Sequence, residues 1–114
     1  MVLRKELYLQ LGGLDETNLP VAFNDIDFCL RLIKAGYRIV WSPHAELYHH
    51  ESASRGLEDT LAKQKRFHAE IAFMKNRWGR EIEADPYYNP NLSIGIKPFT
   101  LAFPPRVEKP WKRR

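Results

Sequence analysis

The chain has 114 residues and therefore forms one domain at most, and its 44% hydrophobic and 28% charged residues are those of an ordinary folded protein, which excludes wholesale disorder. No apolar run approaches the roughly 18 residues that span a bilayer, and the opening MVLRKELYLQLGG lacks the apolar core of a signal peptide. The lone Cys29 excludes an intramolecular disulfide and suits a reducing cytoplasm, and the formal net charge is +4.

In chain order, Arg4 to Leu11 has the spacing of a short helix, with Leu7, Leu11 and Tyr8 together and Gly12-Gly13 as its stop. A loop, LDETNLP, follows. The stretch FNDIDFCLRLIKAG predicts a second helix with Asn24 as N-cap and Gly36 just past its end. Ile26, Cys29, Leu30 and Ile33 form its apolar stripe. Two runs rich in β-formers come next, YRIVW (37–41) and ELYHH (46–50), and both read as short strands. After the small-residue loop SASRG, a long amphipathic helix runs from Leu57 to about Trp78, with Leu57, Leu61, Phe67, Ile71, Met74 and Trp78 on one face.

Beyond Gly79 most of the prolines gather in DPYYNPNLS (85–93) and KPFTLAFPPRVEKP (97–110), which predicts extended, irregular chain. The expected organisation is thus a folded part over residues 1–80 and a basic, Pro-rich tail over 81–114. Lys109, Lys112, Arg113 and Arg114 crowd its end. They read as a solvated terminus, or as a peripheral contact with acidic lipid head groups, although no amphipathic anchor accompanies them. No helix-turn-helix or aromatic sheet motif supports nucleic-acid binding. Two or three short strands with two substantial helices make an incomplete α/β layer, so the chain reads as part of a fold.

Asn24 and Asp27 resemble a capping box, and Asp27 with Arg31 makes an i,i+4 ion pair in the favourable orientation. Those two jobs explain Asp27. They leave Asp25, which follows the cap and feels the positive end of the helix dipole. An ionised, fixed carboxylate there serves either as a first-turn acid or as a general base toward a hydroxyl. The residues alone leave both readings open. His49 and His50 end the second predicted strand on opposite faces, so at most one shares a site with Asp25. Cys29, His44, His49 and His50 match no zinc spacing.

Together LGGLDE, NDIDFCLRLIKAGYRIVW, PHAELYHH, ESASRG and RWG…DPYYNPNLS resemble the C-terminal half of a family-two glycosyltransferase of the rhamnosyltransferase and O-antigen type. The resemblance covers residues 3 to 105 and rests on the order and spacing of the pieces. It implies a GT-A, Rossmann-like α/β fold and inverting transfer of a sugar from a nucleotide-sugar donor to a hydroxyl on a saccharide or lipid-linked saccharide. By that resemblance Asp25 is the catalytic base, with Asn24, Asp27 and Arg31 in support. Gly13 and Asp15 match the acceptor-side loop, and Arg55 lies in a loop beside the site. His49 matches a ligand of the divalent cation, Mn²⁺ or Mg²⁺, that holds the donor diphosphate.

The family's N-terminal, nucleotide-binding half and its metal-binding DxD motif have no counterpart here. Asp25-Ile26-Asp27 has the letters of that motif but sits in the acceptor-side one. A single histidine is a poor site for a hard cation, which takes several oxygen ligands. The expectation is a partial glycosyltransferase of bacterial polysaccharide synthesis, inactive alone, cytoplasmic or at the inner face of the membrane, and partnered by a nucleotide-binding half. The alternative is a non-catalytic remnant that docks on such a half-enzyme.

Overall fold

The computed structural model describes residues 1–48, 59–95 and 97–107. Helices α1 (Lys5–Gln10), α2 (Asn24–Lys34) and α3 (Leu61–Glu83) are its regular elements. The chain divides into two compact units, Met1–Met74 and Lys75–Arg114.

Glycine closes the first two helices in the same way. After α1, Gly12 N–H donates to Leu9 O (3.0 Å) and Gly13 N–H to Tyr8 O (2.9 Å). After α2, Gly36 N–H donates to Ile33 O (2.9 Å) and Tyr37 N–H to Leu32 O (3.0 Å). This is the Schellman pattern, which needs a left-handed residue just past the helix. Gly12 (φ 76°) and Gly36 (φ 86°) supply it.

The start of α2 departs from expectation. Asn24 is the first helical residue, and the N-cap is Phe23, in the left-handed region at φ 64° with no side-chain cap bond. The capping box of Asn24 and Asp27 therefore does not form. A left-handed conformation costs an L-residue about 1–2 kcal/mol. Here the Phe23 ring stacks on Phe67 of α3, with centroids 5.6 Å apart, and this contact fixes the turn.

The buried side of α2 also differs from the expected stripe. Phe28 and Leu32 are buried with Asp27, while Ile26 and Ile33 are about half exposed. Two apolar rows compete on this helix, and the row holding Phe28 wins because its ring meets Tyr8 of α1 at 5.4 Å. Leu19, Ala22, Phe28, Leu32 and Met74 make the apolar core of the first unit.

The expected α/β architecture is not what the chain adopts. Among the described residues there is no sheet, and the pairing present is an isolated antiparallel bridge between Leu92 and Leu101. Residues 37–48 carry no strand, although a turn does form at Ser42, where Ala45 N–H donates to Ser42 O (3.3 Å). The β-formers are left in solvent: Trp41 is 83% and Tyr48 95% exposed. β-propensity reports fit to a half-buried pleated surface, and a two-stranded ribbon with nothing to pack against is marginal in water. A GT-A, Rossmann-like sheet is thus overturned for this chain, which is mostly helical.

In the second unit α3 continues from Lys75 through a non-helical Trp78 (φ −124°), whose side chain is buried. Beyond it, polar contacts tie the Pro-rich segment to itself. Tyr88 O–H donates to Ser93 O (2.6 Å) and accepts from Phe99 N–H (2.9 Å). Arg106 donates to Leu92 O (2.9 Å) and Glu83 O (2.6 Å).

Gly13 is also left-handed (φ 68°), and a Cβ there would lie 3.0 Å from the Tyr8 ring, whereas one at Gly36 meets nothing within 4 Å. Gly36→Ala should lower unfolding stability by about 1 kcal/mol, the left-handed penalty alone. Gly13→Ala should cost more, because the Tyr8 ring must also shift. Urea titration of the two variants checks the order.

Candidate functional site

The two aspartates of α2 have different surroundings. Asp27 is fully buried, and its Oδ2 accepts from Arg31 Nε at 2.8 Å. Arg31 extends past it toward the end of α1, donating from Nη1 to Leu11 O (2.6 Å) and from Nη2 to Gly13 O (2.5 Å). Its guanidinium also lies over the Phe28 ring, 5.0 Å from the centroid. A planar cation with a fixed fork of donors suits this task, and a lysine could not satisfy the three acceptors together. The ion pair expected from spacing is present, and it serves as a buried anchor between helices.

Asp25 is exposed on the first turn of α2, with Oδ1 accepting from the N–H of Ile26 at 2.8 Å. Four residues on, Cys29 feels it. Partial burial, then the Asp25 charge, push the Cys29 thiol up from its ordinary value, with the N-terminal ammonium opposing. Asn24 is half-buried at the first helical position. Gly13 is buried and spends its carbonyl on Arg31, while Asp15 shapes the loop after α1 by accepting from the backbone and side-chain N–H groups of Asn18 at 3.0–3.1 Å. His49 and Arg55 lie outside the described residues.

A site residue missing from the sequence reading is Glu70 of α3. It is buried, and its Oε1 accepts from the N–H groups of Val21 (2.9 Å) and Ala22 (3.2 Å), in the loop that leads into α2. Its Oε2 lies 3.7 Å from Arg66 Nε, an ion-pair distance too long for a hydrogen bond. The available signal was a carboxylate in line with Phe67, Ile71, Met74 and Trp78 on the apolar face of α3, where a charge must find partners.

Among the described residues no group of three or more His, Cys, Asp or Glu side chains could hold a metal ion. Asp25 and Asp27 do not share a site, since Asp27 is committed to Arg31. The described donor set therefore does not fit Mn²⁺ or Mg²⁺, which require several oxygens around one point. A groove of about 410 Å³ in the second unit, lined by residues including Ile82, Glu83, Tyr88 and Arg106, contains none of the expected site residues. No helix among the described residues is long and apolar enough to cross a membrane.

No family model matches the chain. No solved structure matches it. The chain is 53% identical over 104 residues to the uncharacterized protein y4gI of Sinorhizobium fredii, a match covering 91% of this chain and 11% of that protein. It is 36% identical over 94 residues to the O-antigen biosynthesis protein RfbC of Myxococcus xanthus, covering 82% of this chain and 7% of that protein. The chain thus spans about a tenth or less of the length of these curated relatives, and a distant partial homologue carries a name from O-antigen synthesis.

Asp27→Asn removes the charge that Arg31 meets in the interior and should destabilise the fold by about 3 kcal/mol, whereas exposed Asp25→Asn should change stability by less than about 0.5 kcal/mol. Equilibrium unfolding of the two variants distinguishes them. The raised thiol pKa makes Cys29 less thiolate, and so slower to alkylate near pH 8, than a cysteine in the unfolded chain. Because Asp25 contributes to that shift, Asp25→Asn should speed iodoacetamide labelling of Cys29 at fixed pH. An unchanged rate would show that the two side chains do not sense each other.

Proposed function

We propose that the chain is the acceptor-side part of an inverting sugar transferase of family-two type, acting in bacterial polysaccharide or O-antigen synthesis, with Asp25 as its general base. The observation that carries this reading is the pairing of an exposed, anchored carboxylate at the amino end of α2 with similarity to a protein named for O-antigen biosynthesis. The buried Asp27–Arg31 anchor fixes α2 against the end of α1 and so holds the backbone that carries Asp25. Such a frame suits a base that must meet a hydroxyl in one geometry.

In this reading Asp25 takes the proton of an acceptor hydroxyl as its oxygen attacks the anomeric carbon of the donor sugar. The bond from that carbon to the diphosphate oxygen breaks, and the nucleoside diphosphate leaves with the electron pair. Donor binding falls to a nucleotide-binding part outside these residues, and the acceptor is a saccharide or a lipid-linked saccharide. A divalent cation, if the complete enzyme uses one, is held with that donor; no step at Asp25 is routed through it.

A second reading, a non-catalytic piece that docks on such a half-enzyme, draws on the exposed apolar side chains of Val40, Trp41, Leu47 and Tyr48. Turnover separates the two. In a protein that joins this chain to its donor-binding part, Asp25→Asn should lower sugar transfer by about 10²–10⁴-fold with donor affinity unchanged. Transfer at a near-normal rate by Asp25→Asn would remove the base assignment and favour the docking reading.

A further inference from the structure

The amino end of α2 has two supports. One is the Arg31 anchor below it. The other comes from α3, across 49 residues of sequence, where Glu70 accepts both N–H groups of Val21 and Ala22. These are the last residues before Phe23, the left-handed N-cap, and Phe67 stacks its ring on Phe23. Phe67 and Glu70 are i,i+3 and share a helix face. One face of α3 therefore grips the backbone of Val21 and Ala22 and the side chain of Phe23 in succession. Asn24 and Asp25 follow immediately.

A buried carboxylate is an expensive way to fill an apolar face, since its charge must be met inside. At this position it does what a leucine cannot. It receives two backbone donors that would otherwise be buried without acceptors, and it places negative charge near the positive end of the α2 dipole. Its geometry is specific: a single oxygen, Oε1, takes both bonds at 2.9 and 3.2 Å.

We infer that Glu70 is a positioning residue for Asp25, clamping the 21–23 loop so that the first turn of α2 presents the carboxylate in one orientation. This inference rests on the reading of Asp25 as the base. Glu70 itself touches neither acceptor nor donor in this scheme. Its effect passes through the backbone.

The test uses the full 114-residue chain, isotope-labelled for NMR, as wild type, Glu70→Gln and Glu70→Leu. Glutamine keeps a side-chain oxygen that can accept both bonds; leucine fills a similar volume and accepts none. In Glu70→Leu the Val21 and Ala22 amides should exchange with solvent about tenfold faster or more, and the Asn24 and Asp25 resonances, including the Asp25 carboxyl carbon, should move. Glu70→Gln should restore both. The Arg31 Nε–H signal, bonded to Asp27, reports that the fold persists. If Glu70→Leu loses that signal, wild type and Glu70→Gln decide: protected Val21 and Ala22 amides in both support the clamp, and amides unprotected in the wild type overturn it. Asp25 resonances that stay in place in a folded Glu70→Leu chain also overturn it, leaving Glu70 a structural role only. In the joined transferase, Glu70→Leu should lower kcat about tenfold or more at unchanged donor KM, with recovery in Glu70→Gln. Failure of the base assignment would instead show as transfer retained by Asp25→Asn, with the amide signals unaffected.

Discussion

The first unit depends on the guanidinium of Arg31. It is the point where the interior of α2 meets the exposed backbone at the end of α1, and three oxygens converge on it: the Asp27 carboxylate and the carbonyls of Leu11 and Gly13. A helix of only six residues, with no buried side chain, cannot hold itself in water. Its last carbonyls are orphaned by helix geometry, and an arginine from another helix satisfies them. Asp27 neutralises the charge so introduced. The Phe28 ring beneath the guanidinium and the Tyr8 ring beside Phe28 complete a small mixed core in which polar and apolar contacts share the same side chains.

The two aspartates of DID show how one turn of helix divides labour. Asp27 gives up solvent to become structural, and in doing so fixes the turn on which Asp25 stays exposed. Residues this close in sequence acquire unlike chemistry because successive helical positions are rotated by about 100°. A carboxylate free of structural duty at a rigid position is a sound starting point for proton transfer. It is also the minimum that the proposed activity needs from this part of a larger enzyme.

What the sequence disclosed was local. The i,i+4 spacing of Asp27 and Arg31, the glycines after both short helices and the 3.6-residue period of α3 each specify a bond or a face within a few residues. What it concealed was non-local. The reach of Arg31 to Leu11 and Gly13, the Phe23–Phe67 stack and the bonds of Glu70 to Val21 and Ala22 all join distant segments, and no short window contains both partners. Phe23 displaced Asn24 as the cap because a ring contact from α3 outweighed the better capping side chain. The strands failed for the complementary reason. YRIVW has the composition of a strand but lacks a paired neighbour, and a strand is defined by its neighbour. Of the expected site, Asn24, Asp25, Asp27, Arg31, Gly13 and Asp15 can be placed, while His49 and Arg55 fall outside the described residues.

The Glu70 clamp has a consequence for the order in which the molecule assembles. Arg31 closes a loop of 18 residues to reach Gly13, whereas Glu70 closes one of 49 to reach Val21. Chain-closure entropy makes the longer loop dearer by about 0.9 kcal/mol, before the cost of forming α3 itself. Contacts of low sequence separation come first, so the helix carrying Asp25 is docked on α1 early, and the lead-in that sets its first turn is captured only when α3 arrives. The carboxylate's surroundings are therefore completed last, and they loosen first when α3 frays.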